Sequence, residues 1–316
     1  MRKNDNVMNI EGKVYEFNLE EAVTGATSKV PNTPYIRGTV SVAIDAAQEN
    51  IITVHYTYVA PTYSSGKTNN TYTALKKLIS SGKTVIADGY EAATVVKLQP
   101  SFARNDFYPA GQEQPVSQAR NEGGFVTITS EKNIHPEGDI GRHKFTFDIV
   151  ISSVNEVVPE EGDSYAVIKG VVFNFQNMAL PIELVARNKD AASYFLGLDA
   201  SSSNPVYTKV WGKIVNSYVT TTQTTESAFG EATVDTITKK TREYVITGAN
   251  PVPYVFDSSD TITADELKKA LADRELYLAE VKKNTEEYRA KNNAPQNASP
   301  AAQAANTSVP QGGFKF

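Results

Sequence analysis

Aromatic and basic side chains alternate along one predicted strand of this chain. In NPVYTKVWGKIVN (residues 204–216), apolar residues fall on one side of an extended backbone, while the other side carries Tyr207, Lys209, Trp211 and Lys213. Such a stripe suits single-stranded nucleic acid, because rings stack on bases and cations follow phosphates. The sequence leaves open a second interpretation, in which the C-terminal helix or another β unit covers these rings.

Other segments add residues of the same two types. Further candidates for DNA contacts on strands are Tyr35, Arg37, Lys97 and Phe125 in the first half and Lys169 and Phe173 in the second. A polar segment, residues 103–124, is predicted to be a long loop and adds Arg104, Phe107, Tyr108 and Arg120. Loops of this length are often functional. The alternative is a surface hairpin whose two aromatic rings pack down onto the strands.

Strand patterns dominate the body of the chain, and they occur twice in the same order. The two halves align with Gly38 opposite Gly170 and Lys97 opposite Lys209. Each half shows about five short strands with a helical piece between the third and the fourth, which is the order of an OB-fold barrel. The sequence therefore predicts a mainly β protein with two tandem OB-fold-like barrels.

The ends of these patterns give the domain boundaries. We predict a first OB-like domain over residues 10–132, a linker over 133–143 and a second OB-like domain over 144–257. A short helix is predicted over NTYTALKKLISSG, with Gly82 placed to stop it. A C-terminal amphipathic helix is predicted over 258–290, with Thr263 and Glu266 as its capping box and an apolar stripe that includes Leu267 and Leu278. Residues 291–316 are almost free of large apolar side chains and are predicted to be a disordered tail.

Composition excludes several classes of function. The net charge of −5 argues against a protein that coats duplex nucleic acid by bulk attraction. Cysteine is absent, and no apolar run approaches the roughly 20 residues of a membrane span. The N-terminus lacks the apolar stretch of a secretion signal. We therefore expect a cytoplasmic protein with no disulfide, cofactor or membrane partner, located in the host cytoplasm if the protein is viral.

Two motifs that suggest catalysis or metal binding fail on closer inspection. SSGKT occurs at 64–68 and 80–84, but neither copy has the glycine that a phosphate-binding loop needs before its Gly-Lys. The segment HPEGDIGRH (135–143) groups two histidines and two acids, yet its Pro and Gly content and its position favour an interdomain linker. The expectation is a protein that is not an enzyme and holds no metal.

The segments RNDFYPAGQ…GGFVTITS, KVWGKI and ESAFGE together resemble a group of tailed-phage single-stranded DNA-binding proteins. The resemblance covers about residues 10–257 and, in layout, the tail. It implies a role in phage DNA replication or recombination. In bacterial relatives an acidic tail tip docks onto replication and repair enzymes, whereas this chain ends GGFKF, with Lys315 in place of acid.

The aromatic tip of the tail is the last candidate site. Phe314 and Phe316 end a segment that cannot bury them, so we predict a hook for replication or recombination proteins. A frayed end without a partner and a competitor for the DNA groove remain as alternatives. The predicted function is single-stranded DNA binding. The alternative is a virion structural β protein whose exposed aromatics form subunit interfaces.

Overall fold

The computed structural model describes residues 3–160, 162–225, 229 and 233–293, and their fold is mainly β. The strands of the first half are β1 (Asn6–Val23), β2 (Pro34–Ala43), β3 (Ile51–Val59), β4 (Val95–Phe107) and β5 (Val116–Thr129). Those of the second half are β6 (His143–Val157), β7 (Tyr165–Phe173), β8 (Ala179–Ala186), β9 (Val206–Thr225) and β10 (Thr233–Ala249). Alternating apolar residues place one side of most strands in the core.

The helices begin and end at residues that the sequence marks. They are α1 (Asn70–Ser81), α2 (Val85–Asp88), α3 (Lys189–Leu196) and α4 (Ala264–Asn293). Helix α1 ends at Gly82, as predicted, and the Gly82 N–H donates to the carbonyl of Leu78. The capping box of α4 is confirmed: the Glu266 N–H donates to Thr263 Oγ1 at 3.1 Å, and the Thr263 N–H donates to Glu266 Oε2 at 2.9 Å.

The strand pairings close a circuit in each half. In the first half, β1 pairs with β2, β2 with β3, β3 with β5, β5 with β4, and β4 with β1. The second half repeats this order from β6 to β10, and β6 pairs with β9. In both halves only the pairing of the third strand with the fifth is parallel. The predicted internal duplication is therefore confirmed at the level of strand pairing, with α1 and α3 in corresponding positions.

The aligned glycines Gly38 and Gly170 have one structural reason. A Cβ atom at Gly38 would overlap the carbonyl oxygen of Asn18 on β1, and one at Gly170 would overlap the carbonyl oxygen of Val150 on β6. Gly38 also has a φ of +131°, a conformation that side chains disfavour. At these two glycines, the second strand of each half thus approaches the first strand too closely for any side chain.

The two halves share one core. Residues Asn6–Ile10 of β1 pair with residues His143–Phe147 of β6 and so join the circuits. Across this junction the Phe102 ring lies 6.2 Å from that of Phe147 and 5.6 Å from that of Tyr244, centroid to centroid, in edge-to-face contacts. The Tyr244 hydroxyl donates to Asn121 Oδ1 at 2.9 Å, which adds a buried polar contact between the halves.

The segment predicted as a linker, 133–143, is packed against the first half. The His135 ring bonds to Glu11 of β1 at 2.8 Å. Arg142 is buried and donates to the carbonyl of Ile44 at 2.7 Å. This segment therefore fixes the start of β6 to the first circuit. None of the described helices is long and apolar enough to cross a membrane.

Candidate nucleic-acid interface

A cavity of about 400 Å³ lies on the outer side of the first circuit. Arg37 of β2, His55 and Thr57 of β3 and Arg120 of β5 line it, because these residues alternate with core residues along their strands. Arg37 is paired with Glu20 of β1. Burial lowers the pKa of His55, and the positive charge of Arg120 lowers it further, so the neutral imidazole is favoured beside the two arginines.

A second cavity, of about 700 Å³, adjoins the first and shares Thr57 and Arg120 with it. Its floor includes Arg104 of β4. The turn after β7, the first half of α4 and the N-terminal segment also line it. Three of the arginines predicted from sequence, Arg37, Arg120 and Arg104, therefore lie along one continuous depression, which we call the arginine track.

The three arginines of the track differ in how their charges are balanced. Arg37 and Arg120 each have a carboxylate partner, and Arg120 Nη2 lies 2.9 Å from Glu122 Oε2. Arg104 instead donates to two backbone carbonyls, those of Pro181 at 2.8 Å and Ser117 at 3.1 Å. Among the described residues no carboxylate lies within ion-pair distance of it.

Burial lowers the pKa of Arg104, and the charge of Arg274 lowers it further. Both effects oppose the cationic form, and an anion placed in the cavity would offset them. The charge of Asp106 acts in the opposite direction, and an anion bound beside Arg104 would add to that effect.

Two of the predicted rings are buried, so the prediction that they face solvent is wrong. Tyr207 and Phe173 belong to a second core cluster with Ile262 and Ala270, and Leu267 packs against it. Helix α4 and the segment before it cover the outer face of the second circuit. Burying these apolar side chains stabilises α4 on the sheet. The alternative interpretation, a helix over the rings, is correct for these two residues.

The aligned lysines Lys97 and Lys209 are engaged in corresponding structural ion pairs. Lys97 stands opposite Glu11 on the neighbouring strand, and its Nζ lies 3.1 Å from Glu11 Oε1. Lys209 stands opposite Asp148 in the same way, at 4.0 Å, and also contacts Asp5. Their ammonium groups balance buried carboxylates, which argues against their prediction as free phosphate contacts.

The two buried carboxylates respond differently to their surroundings. Burial opposes ionisation of Glu11, but hydrogen bonds from Asn9, His135 and Lys97 outweigh it and lower its pKa to about 2. For Asp148 burial dominates, and its pKa is raised. Lys97 therefore neutralises a fully ionised Glu11, whereas Lys209 lies beside Asp148, which is a weaker acid.

Trp211 and Lys213 lie apart from the arginine track. The half-buried indole of Trp211 lies against Gly248 of β10, where a Cβ atom would overlap the ring. Lys213 is exposed and lines a separate cavity of about 600 Å³ beside α3. The structure therefore does not bring these two residues together with Arg37, Arg104 and Arg120.

The polar segment 103–124 is mostly strand, so the predicted long loop is wrong. Strands β4 and β5 continue to Phe107 and from Val116, which leaves only residues 108–115 as the loop. The ring of Tyr108 is buried, and the backbone carbonyl of Tyr108 accepts a hydrogen bond from Arg289 of α4. Phe107 stays partly exposed at the tip. The hairpin alternative is correct for Tyr108.

The remaining predicted residues lie on the surface outside the two cavities of the track. Tyr35 is half-buried against the ring of Tyr58, 4.9 Å away between centroids. Phe125 is 60% exposed on β5, and Lys169 is exposed 3.6 Å from Glu183. Phe314 and Phe316 lie outside the described residues.

Sequence reasoning missed the contribution of α4 to the site. Arg274 and Tyr277 line the larger cavity, and the Arg274 guanidinium forms a buried pair with Asp106, with 2.7 Å between Nη1 and Oδ2. A signal was present, because Arg274 lies in the apolar stripe between Leu267 and Leu278. A charged residue in such a stripe indicates a buried partner.

The fold and the site together define a mainly β protein of two duplicated halves with an arginine-lined depression on the first. The chain belongs to the YorF family, whose sequence profile matches residues 4–284. A comparison with curated proteins finds no match.

Two solved structures are similar to this chain, both of a single-stranded DNA-binding protein from Thermus aquaticus. A deletion mutant of that protein has a TM-score of 0.46 and 8% sequence identity, with 81% of this chain and 98% of that chain covered. The wild-type protein has the same TM-score and identity, with 79% and 93% covered.

Proposed function

We propose that this protein binds single-stranded DNA along the arginine track, as a binding protein without catalytic activity. The observation that carries the proposal is the alignment of Arg37, Arg120 and Arg104 along one continuous depression on the first half. Phosphates spaced along a single strand match such a row of cations. The net charge of −5 disfavours attraction of duplex DNA to the whole surface, so a local track is the element that recognises the strand.

The strand order supports this use of the surface. We interpret each circuit as an OB-type barrel, because its five strands pair in the order 1-2-3-5-4-1 with a helix between the third and fourth strands. OB-folds bind oligonucleotides on the face of strands 2 and 3 and with the loops beside it. Arg37 and His55 lie on β2 and β3, on this face of the first circuit.

The test is the salt dependence of oligo-dT binding, measured by fluorescence anisotropy. Arg37→Gln and Arg120→Gln should each flatten the slope of log affinity against log salt by about 0.7 for the lost single-strand contact. Lys269→Gln is the matched control, because Lys269 is exposed on α4 and paired with Asp273 at 2.6 Å, outside the track. Unchanged slopes in both arginine variants would contradict the proposal. Parallel titrations with oligo-rU compare DNA with RNA.

The cellular role and the tail belong to the same proposal. The resemblance to tailed-phage proteins supports a role in phage DNA replication or recombination. Phe314 and Phe316 are proposed as a hook for proteins of that process, and this rests on sequence because they lie outside the described residues. Deletion of residues 292–316 should leave the affinity for oligo-dT unchanged and abolish capture of replication proteins. Reduced capture by a Phe314→Ala, Phe316→Ala variant would assign the effect to the two rings.

A further inference from the structure

An exposed ring lies on a hydrogen-bonded turn at the edge of the larger cavity. Phe175, in the turn between β7 and β8, is 91% exposed. The side chain of Asn174 accepts hydrogen bonds from the N–H groups of Gln176 and Met178, both at 2.9 Å. Asn4 reaches across from the N-terminal segment and donates to the carbonyl of Asn174 at 3.3 Å. These bonds fix the turn, so Phe175 presents its ring to solvent from an ordered backbone.

Helix α4 supplies an aromatic residue to the same cavity. Tyr277 lines it together with Phe175, and the Arg274 guanidinium lies 5.7 Å from the centre of the Tyr277 ring. The buried pair between Arg274 and Asp106 holds this part of α4 against β4. The cavity volume, about 700 Å³, lies within the roughly 300–1,000 Å³ of small-ligand sites. It therefore has room for one nucleotide of a strand.

The charge of the cavity favours an anion beside the rings. Arg104 lines it and has no carboxylate within ion-pair distance among the described residues, while Asp106 is already paired with Arg274 and Glu122 with Arg120. An aromatic ring and a guanidinium without an ion-pair partner among the described residues, both at one cavity, match the two parts of a nucleotide, a flat base and a phosphate.

We propose that this cavity binds one unpaired base of the DNA strand against Phe175, with Tyr277 as a second ring of the lining and Arg104 at the adjoining phosphate. The inference rests on the proposed function and deepens it, because a residue of the second half and a residue of α4 complete the site on the first half. A base can stack on Phe175 only with a face that is free, whereas the paired bases of a duplex are stacked on their neighbours on both faces. The site thus selects single-stranded over duplex DNA.

The experiment compares Phe175→Ala with Tyr288→Ala in the full-length chain. Tyr288 is an exposed ring on α4 outside the cavity, so its loss controls for removal of surface aromatic area. Phe175→Ala should weaken oligo-dT binding by roughly 5- to 150-fold, the effect of one lost stack. An abasic oligonucleotide of the same length should bind both variants and the wild type equally, because it keeps the phosphates and lacks the bases.

A second measurement reports on the ring directly. Phe175→Trp in a Trp211→Phe background leaves one tryptophan, since Trp211 is the single tryptophan of the chain. Oligo-dT should quench its emission and the abasic strand should not. If Arg37→Gln weakens binding while Phe175→Ala does not, the base site is refuted and the arginine track stands. If the wild type binds no oligonucleotide, both proposals fail. A Phe175→Ala variant that changes the sedimentation coefficient but not the affinity would assign the ring to contact between copies.

Discussion

The buried pair between Arg274 and Asp106 provides the sharpest test of how α4 is held. The Asp106 side chain is fully buried and that of Arg274 is 8% exposed, and two of their N–O pairs form hydrogen bonds. Arg274→Met keeps the aliphatic stem but leaves the carboxylate without a partner. Breaking one side of a buried pair costs about 3–5 kcal/mol, because the remaining charge stays desolvated.

The assay is urea unfolding of the wild type and three variants. Arg274→Met should lower the free energy of unfolding by about 3–5 kcal/mol. The double variant Arg274→Met, Asp106→Leu should recover most of this, because it leaves no unpaired buried charge. Lys282→Ala is the control on the same helix: its partner Glu113 is exposed, so solvent screens this pair and its loss should change the free energy of unfolding little.

Two results would refute the reasoning. One is a decrease in the free energy of unfolding for Arg274→Met that is no larger than the decrease for Lys282→Ala. The other is a double variant less stable than the single one. If α4 detaches before the rest unfolds, the cost is capped at the free energy of undocking, and limited proteolysis would then cleave α4 faster in Arg274→Met than in the wild type.

Three further predictions follow from the fold and the site. Gly38→Ala should destabilise the protein by more than the roughly 1–3 kcal/mol of a strained backbone alone, because its Cβ overlaps the Asn18 carbonyl. Gly66→Ala, with a φ of +78° and open space around it, is the matched control, and equal losses in urea unfolding would contradict the close approach. Because the pKa of Glu11 falls from 4.5 unfolded to about 2 folded, its contribution to stability is complete above pH 4.5 and is lost as the pH falls to about 2. The free energy of unfolding, plotted against pH over this range, should change less for Glu11→Gln than for the wild type. Parallel curves would contradict the lowered pKa of Glu11. Trp211 lines neither cavity of the arginine track. An oligo-dT short enough for one OB-fold site, roughly 4–16 nucleotides, should therefore leave the Trp211 emission unchanged. Quenching would show that the strand reaches the second half at β9.

Local patterns predicted the elements well, because they depend on neighbours in the chain. Alternation identified the strands, Gly82 ended α1, and the pair Thr263 and Glu266 marked the start of α4. The alignment of Gly38 with Gly170 also agrees with the structure, since each glycine lies where two strands approach closely. These features needed no knowledge of which elements meet in space.

The candidate site was less predictable, because alternation separates two faces of a strand without telling which of them another element covers. Tyr207 and Phe173 share the outer face with polar residues, yet α4 docks there and buries them. The ends of β4 and β5 resembled a loop because they are rich in polar residues, one of which is the buried Asp106, and because their pairing is visible only in three dimensions. Arg37, Arg104 and Arg120 were predicted by type, but their alignment depends on the parallel pairing of β3 with β5.

The pairing of Asn6–Ile10 with His143–Phe147 has a consequence for biosynthesis. The first five residues of β1 leave the ribosome ahead of the other strands, and their partner strand follows only after the whole first half. At about 5–20 residues per second, this interval is on the order of ten seconds. During it Met8, which is buried in the finished core, stands on an open strand edge. Until β6 forms, this edge of β1 is therefore open to pairing with other chains.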